Sequence, residues 1–227
     1  MFRLRARAAA IGIVTLFVAS CAGRPVATTV SSPAAPRRLP ALLASSAEVV
    51  APDAPDYARA DVKTAEKKPG AGGVSSAIAI RLTQDVHVFR LWSGPDKKDS
   101  RGFTNRIGGW WTYDAPAGTA AQYRVDYEVC RDWNDLTWVA TCTLKKGAIV
   151  AIGPGNSVGA GVCKDTAEQY PANPQHWQLY VSNVFANVGP GKELECPDAS
   201  GDYEANPNNL AVPKPREQRP PEGGRHE

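Results

Sequence analysis

One arginine sits where an arginine needs a reason. The run Val88-Phe89-Arg90-Leu91-Trp92, which leads into Ser93-Gly94, is apolar and aromatic apart from Arg90. Guanidinium groups are rarely buried alone, so Arg90 either pairs with a carboxylate or faces a cleft that receives an anion. A second segment, Gly108-Gly109-Trp110-Trp111-Thr112-Tyr113, is followed by Pro116, Gly118 and Arg124. It offers indole rings for stacking and a hydroxyl beside them. A third, Gln178-Leu179-Tyr180-Val181, opens an apolar run with a neutral carboxamide, and His176 stands just before it. Together these groups can grip an anionic, ring-bearing small molecule. They hold no carboxylate base of their own.

Each has a plainer reading. Arg90 can bridge to Asp114 or Asp126 at the surface. Adjacent strand residues point to opposite faces, so one of Trp110 and Trp111 belongs to the core. Gln178 can be a solvated strand-edge residue, and His176 a solvated loop residue. Lys145-Lys146 reads as a solvated turn. The sequence has no Walker A loop, GxGxxG, HExxH or GxSxG motif. No serine has a context that supports a Ser-His-Asp triad.

The elements that must position these groups are mostly strands. Val86–Trp92 is β-branched and aromatic, and the short Trp110–Tyr113 run follows a glycine pair. Residues 119–129 lack Gly and Pro and space Ala121, Val125 and Val129 as a helix does. Thr141–Leu144 and Ala148–Ile152 flank Lys145-Lys146-Gly147, which predicts a strand, a turn and a strand. A Gly- and Pro-rich loop over 153–174 leads to strands at Trp177–Val181 and Lys192–Cys196. The expected class is α+β, mainly β, with one or two helices.

All six tryptophans fall between residues 92 and 177. The predicted globular domain therefore covers 76–197. Residues 21–75, rich in Ala, Pro, Ser and Thr, read as a disordered tether, and 198–227 as a Pro-rich disordered tail. Residues 1–20 carry Arg3, Arg5 and Arg7 ahead of the apolar Ile11–Val18 core, the layout of an export signal. Val18-Ala19-Ser20-Cys21 resembles the lipobox of bacterial lipoproteins. That resemblance implies lipid on Cys21, and Ala22 implies delivery to the outer membrane or cell surface, with later release compatible. Simple cleavage near Ala19 or Ala22 is the alternative.

The remaining four cysteines, Cys130, Cys142, Cys163 and Cys196, form an even set in an exported chain and predict two disulfides. The short span between the first two favours Cys130–Cys142, leaving Cys163–Cys196. No metal site is expected, since no CxxC occurs. With 26 Lys+Arg against 23 Asp+Glu, the net charge of +3 gives no ground for a nucleic-acid partner.

Taken in order, the arginine strand, the Gly-aromatic-Thr segment with its helix, and the Gln strand resemble the ADP-ribosyltransferase-like superfold. The likeness is nearest to the NAD glycohydrolases of the tuberculosis necrotizing toxin type, and it covers most of residues 86–182. It implies a small disulfide-bonded ADP-ribosyltransferase-like domain with NAD as substrate and no further cofactor. Arg90 and Gln178 would be catalytic. Arg90, Trp110, Trp111, Thr112, Arg124 and His176 would bind NAD. Transferases of the superfold usually carry Glu where this chain has Gln178, which favours hydrolysis over transfer to protein. Leu179 also intervenes where the family's strand runs Gln-Tyr. An immunity partner and the oligomeric state stay open. Two alternatives remain: a non-catalytic envelope lipoprotein or binding module, and an ADP-ribosyltransferase toxin.

Overall fold

The computed structural model describes residues 38–215, and the apolar runs of the sequence are its framework. Two antiparallel sheets hold ten strands, β1 to β10 in chain order. The first sheet has the order β1 (Ala47–Val50), β2 (Ile78–Leu82), β6 (Ile149–Pro154), β7 (Trp177–Tyr180) and β4 (Trp110–Trp111). The second runs β10 (Asn209–Pro213), β9 (Tyr203–Asn206), β5 (Trp138–Leu144) and β3 (Val86–Trp92), with β8 (Leu194–Glu195) also on β5. Small and β-branched residues let the faces meet closely: Ile80, Leu82, Val88, Leu144, Val150, Ile152 and Leu179 are buried in one core.

The architecture is mainly β, as the composition of the runs predicts. Among the described residues only one helix exceeds a single turn, α3 (Ala120–Asp126), where the sequence spacing places it. Thr119 caps it, accepting a hydrogen bond from the Gln122 amide at 3.1 Å. The others are α1 (Ala41–Ala44), α2 (Val62–Ala65) and α4 (Val184–Asn187). Helix α3 lays Tyr123 and Tyr127 over Leu91, Leu136 and Val139, forming a separate apolar cluster against the second sheet.

Three expectations are corrected. The first concerns the chain before residue 76. Residues 38–75 are structured: β1 pairs with β2, from Ala47↔Leu82 to Val50↔Ala79. Leu43, Ala60 and Ala65 are buried. A composition argument asks whether a segment can bury its own core, but this one lays a few small residues on a sheet built elsewhere. Residues 1–37, with the signal and Cys21, lie outside the described residues.

The tail is corrected in the same way. Residues 198–215 return as a β9–β10 hairpin on the edge of the second sheet, with Leu210 fully buried. Pro213 is tolerated because it lies on an edge strand. Residues 216–227 lie outside the described residues.

The disulfides join Cys130 to Cys163 and Cys142 to Cys196, not the expected pairs. Strand pairing decides this. Thr143 faces Glu195 and Leu144 faces Leu194, so β8 lays Cys196 beside Cys142 with Cα atoms 4.4 Å apart. The expected strand–turn–strand around Lys145-Lys146-Gly147 exists, but its strands do not pair with each other. β5 belongs to the second sheet and β6 to the first, so the turn carries the chain between sheets.

Candidate functional site

Strand β3 meets the segment after β4 through a bridge between Phe89 and Thr112, with each backbone amide donating to the other's carbonyl. This bridge brings the arginine strand against the aromatic strand. On the other side β4 pairs with β7, Trp111 facing Leu179 and Trp110 facing Tyr180. The chain order of the three segments thus becomes a spatial neighbourhood. A cavity of about 160 Å³ lies between them, and Arg90, Trp110, Thr112, Glu128, Trp133 and Gln178 are on its wall.

Arg90 is partly buried and has no carboxylate partner among the described residues. Its Nε donates to the carbonyl of Asn105 at 3.0 Å and its Nη1 to that of Trp110 at 2.7 Å. Those two bonds fix the plane of the guanidinium without neutralising it. Burial lowers its pKa to about 10, still far above neutrality. Arg106, sixteen residues on, shows the contrast: it forms a bidentate pair with Asp202 at 2.6 and 2.8 Å. The bridge from Arg90 to Asp114 or Asp126 is not what forms. Room for the group comes from Gly108, where a Cβ would stand 2.6 Å from Arg90 Nη2.

Trp111 turns into the main core, with its Nε1 donating to Gly108 O at 2.6 Å, and reaches the cavity only as wall. Trp110 points the other way. Its ring centroid is 4.9 Å from that of Tyr180, and it stays partly exposed. Thr112 is buried, and its hydroxyl donates to Asp114 O at 2.9 Å.

Gln178 is buried rather than solvated. Its Nε2 donates to the Tyr127 carbonyl at 3.3 Å and to Glu128 Oε2 at 3.2 Å. Among the described residues no donor reaches its Oε1, which is left as an acceptor on the cavity wall.

Two expected binders do not line this cavity. Arg124 donates from Nη1 to the carbonyls of Val129 and Cys130, both at 3.2 Å, and so fastens the loop after α3. His176 stacks edge-on against Tyr127 at 5.2 Å, with its Nε2 3.7 Å from Asp126. Both support the site's floor from behind.

The group that sequence reasoning missed is Glu128. It is only 2% exposed and takes a hydrogen bond from the Asn173 amide at 2.9 Å besides that from Gln178. Its carboxyl lies on Gly155, where a Cβ would collide with it. Burial is the chief cause that pushes its pKa up to about 8; the Asn173 and Gln178 bonds hold it back in part. The backbone of Glu128 is left-handed, φ 50°, uncommon for a residue with a Cβ and found at sites the surroundings over-determine. In sequence it stands inside the 119–129 run expected as a helix, with no motif around it. Nothing local announces that β7 will bring a carboxamide to it.

No family model, curated protein or solved structure matches the chain.

Proposed function

We propose that the folded unit is an NAD-cleaving enzyme, an NAD glycohydrolase, exported and held at the outer membrane or cell surface through lipid on Cys21. One observation carries the reading: a guanidinium without a counter-charge lines the same ring-sized cavity as an indole, a carboxamide acceptor and a carboxyl of raised pKa. Perturbed titratable groups gathered in one cavity are the usual mark of a working site. A cavity near 160 Å³ is close to the roughly 150 Å³ that accommodates a single benzene ring. It suits nicotinamide.

The chemistry follows from the groups. The C1′–N bond breaks, and its electron pair goes to the nicotinamide nitrogen. A water oxygen bonds to C1′, and the water proton passes to the Glu128 carboxylate. The products are nicotinamide and ADP-ribose. Arg90 holds the pyrophosphate, Trp110 stacks on the departing ring, and the free Oε1 of Gln178 accepts from a ribose hydroxyl or the attacking water. Gln178 also keeps Glu128 in place.

A non-catalytic anion-binding module would use the same cation but would need no carboxyl of raised pKa beside it. Transfer of ADP-ribose to protein would need an acceptor site in place of water.

The test is NAD consumption by the oxidised, exported protein, with nicotinamide and ADP-ribose measured as products. Gln178→Ala should lower the rate at least about a hundredfold. A folded preparation that consumes no NAD and labels no protein would overturn the proposal. Labelled protein without free ADP-ribose would convert it to the transferase reading.

A further inference from the structure

A second hollow adjoins the ring-sized cavity. It measures about 580 Å³, within the roughly 300–1,000 Å³ of ordinary ligand pockets, whereas the inner cavity falls below that range. Trp133 lies on the wall of both. Asn105 lines the outer hollow, and its carbonyl accepts the Arg90 Nε bond described above. The uncompensated guanidinium therefore stands where the two spaces approach.

The outer wall has an unusual composition. Phe103 is 65% exposed, Phe185 on α4 is 79% exposed, and Trp133 is 43% exposed. Lys97, Lys98 and Arg101 share that wall with one carboxylate, Asp99. Lys97 pairs with Asp135 at 2.6 Å and Arg101 with Asp99 at 2.8 Å, while Lys98 has no acidic partner among the described residues. The Arg101 guanidinium also sits 5.8 Å from the centre of the Phe103 ring. Asp99 accepts from the Phe103 amide at 3.0 Å, which fixes the loop that carries both.

Three aromatic faces among cations match one ligand chemistry: a flat heteroaromatic base joined to phosphate. We infer that the outer hollow is the subsite for the adenylate half of the dinucleotide. The adenine lies among Phe103, Trp133 and Phe185, and its phosphate lies toward Lys98 and Arg90. This rests on the NAD-cleaving reading and deepens it. A dinucleotide is too long for the inner cavity alone, and the second space lies on the side where Arg90 would hold the pyrophosphate.

Titration of the oxidised protein with ADP, read by calorimetry and by tryptophan fluorescence, tests it alongside NAD kinetics. ADP should bind, and Lys98→Ala and Phe185→Ala should each weaken it about five- to tenfold. The same variants should raise KM for NAD by a similar factor, and added salt should act in the same direction. NAD cleavage with KM and ADP affinity unchanged in both variants would overturn the subsite and leave the enzyme standing. ADP binding weakened by both variants, without any NAD cleavage, would remove the enzyme and keep the nucleotide site. No ADP binding at all by a protein that cleaves NAD would also overturn the subsite.

Discussion

The two hollows are built in opposite ways. The inner cavity is a product of strand pairing. Its arginine is held by two backbone carbonyls, its carboxyl by a backbone amide and a carboxamide, and its space by Gly108 and Gly155, where a Cβ would crowd those two side chains. The outer hollow is lined by long or exposed side chains on a loop and a one-turn helix. One is fixed geometry around two buried polar groups, Glu128 and Gln178, where each charge weighs more heavily. The other is solvated and adaptable, where each contact is worth little. Substitutions inside should therefore change turnover and stability together, and substitutions outside should change binding alone.

The largest effect should come from Arg90→Ala. It removes the uncompensated charge of the inner cavity and also the two bonds that tie β3 to residues 105 and 110. NAD turnover should fall by about 10²–10³. Stability should drop on the order of 3 kcal/mol, since hydrogen bonds made by a charged group carry about 1.5–3 kcal/mol each and these two are half-buried. Steady-state kinetics and thermal unfolding check both. A variant that loses activity with its Tm intact would show that the arginine holds ligand but not scaffold.

Glu128→Gln should have the next effect, and pH displays it. In the wild type only the ionised carboxylate takes the proton, so the rate should rise as pH passes about 8. The variant should be slow, with that limb absent. Stability runs the other way. The folded pKa of about 8 lies above the ordinary glutamate value of 4.5, so the folded state binds the proton more tightly. The contribution is complete below about 4.5 and is lost as pH rises through 8. Wild-type Tm should decline over that window, and Glu128→Gln should flatten the decline. A rate limb that persists in the variant would assign it to another group.

Gly108→Ala is subtler. Its Cβ would meet Arg90 Nη2 at 2.6 Å, so the guanidinium must move. We expect a loss of about 1–3 kcal/mol and roughly tenfold in turnover. The smallest effect belongs outside: Lys98→Ala should leave unfolding within about 0.5 kcal/mol of wild type. If Lys98→Ala destabilised the fold as Gly108→Ala does, the contrast between the regions would fail.

Much of the framework could be read from residue types. The Val86–Trp92 strand, the helix after Thr119 and the apolar run at Trp177 are local patterns, each with enough β-branched or periodic residues to speak for itself. The ends of the domain could not be read that way. Residues 38–75 and 198–215 carry few large apolar groups, and what orders them is a sheet edge contributed by distant chain. Disulfide choice failed for the same cause. Cys142 lies 12 residues from Cys130, yet its partner is delivered by a strand more than 50 positions away.

The site divides along the same line. Residue chemistry alone marked Arg90, Trp110, Thr112 and Gln178, because a cation in an apolar run and paired indoles after a glycine pair are visible without coordinates. Only the folded chain sorted Trp111 into the core, set Arg124 and His176 behind the cavity, and delivered Glu128 to Gln178. Local sequence fixes what a side chain can do and how its own backbone bends. Which groups stand together, and with what charge, depends on the pairing of strands far apart in the chain and on the water their packing excludes.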